Sequence, residues 1–223
     1  MANPKTMVYV DGFNLYFGAI KGTNCKWLDI LSLSHRLLPN NDILGIKYFT
    51  AIVSGKDDPG SPIRQNIYVR ALKASGVQVF LGLFSYTDVW RRATIPKVQN
   101  PKEQHQLYSA SPISVQVRDA KEKGSDVNLA SHLITDAWLD AYEAAVVVSN
   151  DSDLATAIQL VRQHKQKIVG IINPQRTCEL ASELRPLADF KLKVRLADLQ
   201  ACQLPTPIVG KNGKQIAKPP EWA

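Results

Sequence analysis

At 223 residues the chain suits one generous domain, or one domain with an appendage. Hydrophobic residues at 45% supply a core, and charged residues at 21%, balanced in sign, exclude a disordered polyelectrolyte. The net charge of +7 favours a polyanionic partner, nucleic acid first, although a basic soluble protein with no such partner is an equally good reading of charge alone. Cys25, Cys178 and Cys202 form no C-x-x-C pair and no zinc spacing, and three is the wrong number for a disulfide framework. A reducing, cytoplasmic setting is expected. The N-terminal apolar run is broken at Asp11 and reads as neither a signal peptide nor a membrane span, and no other stretch is long and apolar enough to span a bilayer.

Along the chain, "MVYV" at 7–10 reads as a short buried strand that stops at "DGFN", where Gly12 permits a tight turn. "LYFGAI" begins a helix that Gly22 ends, and a second helix is expected over 27–38, stopped by Pro39. Residues 43–53 form the next strand, "GKDDPGSP" a loop, and Ser61-Pro62 the capped start of a helix that Gly76 terminates. A strand follows over 77–85. The segment 86–120 breaks the pattern with Pro96, Pro101 and Pro112 and short alternating stretches; it reads as a basic insertion or hairpin over one face of the sheet. Helical spacing returns with Val127, Leu129, Ala130, Leu133, Ile134 and Ala137. "AAVVVS" lacks polar alternation, which predicts a strand buried on both faces. Residues 153–164 are predicted helical, "KIVGIIN" a strand, 177–186 a further helix, and "LKVRLADL" a last strand and turn. The proline-rich residues 201–223 read as a loose tail after a domain spanning 1–200. Strands alternating with helices predict an α/β fold with a mostly parallel sheet flanked by helices, in three layers.

Ligands of such sheets gather at the carboxyl ends of the strands. Asp11 with Asn14 follows the first strand, Asp126 opens the long helix after "KEKGS", and Asp151 with Asp153 follows "AVVVS". Three separated segments thus deliver acids to one rim. All-oxygen ligands suit Mg²⁺ or Mn²⁺ better than zinc, and a divalent cation relieves the mutual repulsion of crowded carboxylates. The chemistry such a site supports is phosphoryl transfer. Each acid also has a structural reading. Asp151 or Asp153 can cap a helix, Asp126 can sit favourably against a helix dipole, Asp11-Gly12 can be a turn and Asn14 a cap. The structural reading is the stronger one for each residue alone; their shared position at strand-to-helix and loop-to-helix junctions is what favours a site.

Three blocks, "VYVDGFNLYFG", "KGSDVNLASHLITDAW" and "AAVVVSNDSDLATAIQLVRQHKQKIVGIIN", resemble the signature blocks of the NYN domain, part of the PIN-like nuclease superfamily, with the LabA-like branch most similar. The resemblance spans about 7–175 and leaves the insertion and the tail outside its motifs. It implies a PIN-like, Rossmann-like fold and a metal-dependent ribonuclease, although some family members have no demonstrated activity. By motif, Asp11, Asp126 and Asp151 match the metal-binding acids, Asn14 the asparagine of the first block, and Asp153 a further acid. PIN-like proteins often dimerise, so a homodimer is among the expected states. One departure stands out: many members carry another Asp six residues after the acid of "KGxD", where this chain has His132. Positions 126 and 132 do not share a helical stripe, so His132 reads as a surface or core residue rather than a ligand. A missing fourth acid weakens the case for catalysis.

Arg91, Arg92, Lys97, Lys102, Arg118, Lys121 and Lys123 cluster around the insertion with Trp90 and Tyr108. Positive charge interleaved with aromatics suits single-stranded RNA, and it equally describes a solvated loop. Lys121 and Lys123, just before Asp126, are the best placed to hold a phosphate beside a metal. No Walker-type loop or covalent nucleophile motif is present, and "VYVDGFN" departs from aspartyl-phosphate phosphatases by carrying Phe13 where they carry a second acid. The leading expectation is a Mg²⁺- or Mn²⁺-dependent endoribonuclease with Asp11, Asn14, Asp126, Asp151 and Asp153 in its active site. The rival is a non-catalytic regulatory member that holds RNA or a protein. A phosphatase of small substrates is third, since it leaves the basic insertion unused.

Overall fold

A computed structural model describes residues 2–56, 58–92, 114–210 and 212–222. Its strands are β1 (Lys5–Asp11), β2 (Asp42–Thr50), β3 (Gln78–Leu81), β4 (Leu83–Arg92), β5 (Ser114–Lys123), β6 (Ala144–Val148), β7 (Ile168–Asn173), β8 (Phe190–Lys193), β9 (Ile208–Val209) and β10 (Gln215–Ile216). Its α-helices are α1 (Gly12–Leu15), α2 (Ile30–Leu37), α3 (Ser61–Ala74), α4 (Ser125–Trp138), α5 (Ala155–Lys165) and α6 (Leu196–Ala201).

The apolar runs of the sequence become the middle of a six-stranded sheet ordered β3-β2-β1-β6-β7-β8, in which every pairing is parallel. On one side of β1 the chain winds outward through β2 and β3; on the other it winds outward through β6, β7 and β8. The order therefore reverses between β1 and β6, and the crevice past the ends of those two strands is the switch point where such sheets bind ligands. Val10 pairs with Val148, so Asp11 and Ser149 emerge side by side from the sheet.

Burial on both faces explains why these strands lack polar alternation. Val8, Val10, Val146 and Val148 face a core shared with Trp27, Leu28, Tyr68 and Leu72 from the α2 and α3 side. Tyr9, Phe49, Ala145 and Val147 face a second core built with Leu129, Leu133 and Ile158 of α4 and α5. Each fully buried valine contributes about 1.5–3 kcal/mol relative to exposure, so a one-residue register slip in β1 would forfeit both cores at once.

Several elements depart from the pattern in the sequence. The expected strand 77–85 is broken at Gly82: β3 ends the sheet, and β4 starts a two-stranded ribbon with β5. Phe84–Glu122 forms its own compact unit. Lys97, Lys102 and Tyr108 lie outside the described residues. The helix expected over 27–38 starts only at Ile30, because Asp29 accepts from the N–H groups of Leu31 and Ser32 and caps it there. The helix expected at 177–186 does not form, apart from a 3₁₀ turn at Arg185–Leu187. Its backbone groups are taken by side chains instead: Asn150 receives the N–H of Ala181 and donates to the carbonyl of Glu179, and Asn173 donates to the carbonyl of Cys178. The C-terminal residues, which composition reads as a loose tail, pair β9 with β10, and Trp222 packs its ring against Trp27 and Tyr68. No described helix is long and apolar enough to cross a membrane.

Candidate metal centre

Asp11 is the last residue of β1 and the cap of α1. One carboxylate oxygen, Oδ1, accepts from the backbone N–H of Asn14 at 2.9 Å, and Oδ2 accepts from the Ser149 hydroxyl at 2.9 Å. Gly12 is required behind it: a Cβ there would come within 2.6 Å of the Tyr48 ring and 2.8 Å of the Phe49 carbonyl. Across the switch point, Asp151 caps the 3₁₀ turn Ser152–Leu154 by accepting from the N–H of Asp153 at 3.0 Å. The Ser149 hydroxyl oxygen in turn accepts from the N–H of Asp151, so one serine fixes both acids. The third acid arrives on α4. Gly124 takes a left-handed turn, φ 97°, which a side chain would strain, and places Asp126 in the first turn of the helix, where the dipole favours negative charge.

The outcome is a cluster of three carboxylates. Oxygens of Asp11, Asp126 and Asp151 all lie within 4.8 Å of one another. Oxygens that share one Mg²⁺ at about 2.0–2.1 Å lie within about 4.2 Å of each other, so adjustments of a few tenths of an ångström suffice. The donor set is hard and all-oxygen, as Mg²⁺ or Mn²⁺ requires. Electrostatics point the same way. Burial pushes the Asp11 carboxyl above the ordinary carboxylate range, and the charge of Asp151 adds to the push against the hydrogen bonds from Asn14 and Ser149. Such a site is stabilised by a cation.

Asn14 belongs to the site differently from the acids. Its Oδ1 accepts from the N–H of Asn150 at 3.0 Å and ties the end of β1 to the end of β6. Asp153 does not join the three-acid cluster; its side chain is exposed, and its N–H is what reaches Asp151. Ser149 and Asn150 were missed by sequence reasoning, although they stand inside the quoted "SNDSD" block; hydroxyl and amide groups wedged between a buried strand and an acid were the available signal. His132 is not part of the three-acid cluster; its ring lies on Phe80 at 4.2 Å and its Nδ1 at 3.3 Å from the Lys47 ammonium, which also donates to Asp136 at 2.6 Å.

Lys123 ends β5 and is exposed just before Gly124. Arg91 on β4 pairs with Asp119 at 2.5 Å, and Arg118 with Asp88 at 2.5 Å, so carboxylates of the ribbon already meet both guanidiniums. Arg92 and Lys121 lie on β4 and β5, but their side chains fall outside what the structure describes. Beside Asp11, a cavity of about 200 Å³ is lined by Phe13, Tyr16, Tyr48, Tyr68 and Trp222, with Lys26 and Arg64 among its polar groups.

Comparison with known proteins agrees with this architecture. The family model described as NYN domain matches residues 5–188. A curated relative, the 6-hydroxy-3-succinoylpyridine 3-monooxygenase HspA of Pseudomonas putida, is 30% identical over 242 residues, covering 98% of this chain and 75% of its own. Among solved structures, a protein of unknown function from Vibrio parahaemolyticus shares the fold, with a TM-score of 0.52 at 16% identity over 87% of this chain and 96% of that one.

Proposed function

This chain belongs to the NYN domain family, of PIN-like nuclease fold, and on that footing we propose that it is a metal-dependent endoribonuclease hydrolysing RNA phosphodiester bonds. The observation that carries the proposal is the convergence of Asp11, Asp126 and Asp151 from three separated segments, as residues that would hold Mg²⁺ or Mn²⁺. A cation bound there supplies neutralisation of phosphate charge and activation of water. The chain's own part is positional. Ser149 and the N–H of Asn14 fix both oxygens of Asp11, while the Asn14 side chain locks the two strand ends in register. Lys123 is assigned to substrate phosphate, whereas Arg91, already paired with Asp119, is not. Asp153 is assigned a supporting role, holding Asp151 through its backbone. The three cysteines are free thiols, which suits a reducing cytoplasm.

The test is incubation of labelled single-stranded RNA with purified protein, with and without Mn²⁺, beside Asp151→Asn. Mn²⁺-dependent cleavage that the variant loses is expected. Cleavage that survives EDTA or the substitution would sink the mechanism, and binding without cleavage across metals and substrates would favour a non-catalytic RNA-binding role.

A second reading comes from the Pseudomonas relative, whose name describes oxidation of a substituted pyridine. The observation favouring it is the aromatic-walled cavity beside Asp11, large enough for one ring. Chromatographic assay of 6-hydroxy-3-succinoylpyridine with the protein, dioxygen and a reductant separates the readings: conversion of the pyridine supports the second, and EDTA-sensitive cleavage of RNA supports the first.

A further inference from the structure

The sheet ends at β8, whose outer edge pairs with no other strand among the described residues. A groove of about 710 Å³ runs along that edge. Its walls lie on opposite faces of the sheet. One is the end of α2, which belongs with the first core; the other is the segment around Leu180, which belongs with the second. The groove collects charge of one sign. Arg36, Arg185, Lys191, Lys193 and Arg195 line it against two acids, Glu179 and Asp198, leaving a balance of 5 − 2 = +3. Asp198 is engaged by Arg36 at 2.8 Å. Lys191, Lys193 and Arg195 are exposed and make no ion pair with the described residues.

Their spacing is as informative as their charge. Lys191 and Lys193 are alternate residues of β8, which share a face about 6.6 Å apart, and Arg195 follows two positions on, in extended backbone just past the strand's end, as the cap of α6. Three cations in a row at that interval match successive phosphates of an extended nucleic-acid strand. The row also leads somewhere. Asn173, the last residue of β7, and Glu179 both line the groove, and the Glu179 carbonyl is held by Asn150, the residue between Ser149 and Asp151. One end of the groove is therefore stitched to the strand end that carries the metal-binding acid.

We propose that this groove is the track for the phosphate backbone of single-stranded RNA approaching the metal centre, with Lys191, Lys193 and Arg195 as its phosphate contacts. The proposal rests on the ribonuclease reading for the identity of the polyanion. The ribbon cations Arg91 and Arg118, already met by carboxylates, contribute less. Lysines on an edge strand can also serve to prevent edge-to-edge pairing, a role that a charge of either sign fills. Charge reversal separates the two roles, because it keeps the edge blunted and repels phosphate.

The experiment is fluorescence anisotropy of a labelled 20-nucleotide oligouridine in EDTA, so that cleavage plays no part. Full-length protein is compared with K191E/K193E/R195E and with R91E/R118E. The edge-strand variant is expected to bind roughly tenfold or more weakly, and to lose about 2 from the slope of log affinity against log salt, at about 0.7 per single-strand phosphate contact. The ribbon variant is expected to keep most of the affinity. The neutral triple K191Q/K193Q/R195Q, with circular dichroism to check its fold, is expected to show the same loss of slope should the charge-reversed protein not be obtained folded. Affinity of a folded charge-reversed triple variant within twofold of wild type, an unchanged slope, or equal competition by charge-matched polyglutamate would overturn the track. Failure of the ribonuclease reading is a separate result, namely normal β8-dependent binding with no cleavage when Mn²⁺ is restored.

Discussion

Asp11 and Asp151 each do two things that the sequence offers as alternatives. Each caps a short helical turn through a backbone N–H, and each turns an oxygen toward the shared cluster. A carboxylate has lone pairs enough for both tasks, so a capping motif at a strand end is no argument against a ligand. That Asp11, Asp126 and Asp151 converge was legible from their junction positions. For Asp153 the sequence left a cap and a supporting acid open; in the structure its N–H, and not its carboxylate, meets Asp151. Crowding also separates stability from activity here. Asp11→Asn keeps a group that can accept from Asn14 while removing a buried charge. The variant is expected to melt no lower than the metal-free wild type, yet to cleave RNA at least about a hundredfold more slowly and to lose the rise in melting temperature that Mn²⁺ gives the wild type. Differential scanning fluorimetry beside the RNA assay checks both halves. His132 makes a pH prediction. Burial lowers its pKa below the usual value of 6.5, and the Lys47 ammonium lowers it further against the opposing pull of Asp136. The folded protein therefore resists the proton that the unfolded chain accepts, so stability held above about pH 6.5 is lost as pH falls below it. His132→Gln is expected to flatten the dependence of the urea midpoint on pH below about 6.5.

At the scale of elements, β2 and α4 are joined by a buried ion pair. Lys47 of β2 donates to Asp136 of α4 at 2.6 Å, and the Tyr9 hydroxyl of β1 donates to the same oxygen at 2.6 Å. Asp136 thus ties the helix that carries Asp126 to the strand that carries Asp11. Replacing it with alanine strands a buried ammonium and is expected to cost about 3–5 kcal/mol by urea denaturation, with loss of RNA cleavage that added Mn²⁺ only partly restores. The strands themselves were legible, because a continuous run such as Ala144–Val148 has few other uses than a sheet buried on both faces. Helix 177–186 was misread for an equally physical reason. Its local spacing suits a helix, but the side chains that claim its backbone, Asn150 and Asn173, lie outside the window in which spacing is judged. Pro186 adds a residue that cannot donate within a helix.

At the scale of the molecule, strand alternation was enough to predict a parallel sheet, but its order was not. That β6 rather than β3 lies beside β1 is a matter of non-local pairing, and it is this neighbour that brings Asp151 to Asp11. The C-terminal segment shows the same limit: its prolines mask the fact that Trp222 has a site waiting between Trp27 and Tyr68.

The Asn150 side chain binds the segment after Cys178, and its N–H binds Asn14 on the far side of the switch point, 136 positions earlier in the chain. With acids contributed from residues 11, 126 and 151, no contiguous fragment shorter than most of the domain can assemble the centre. On the proposed ribonuclease reading, cleavage reports complete closure rather than local order. In a urea titration with Mn²⁺ present, cleavage activity and helical circular dichroism are expected to vanish at the same midpoint. Activity lost well before the helical signal would show that the crevice opens while the sheet still stands.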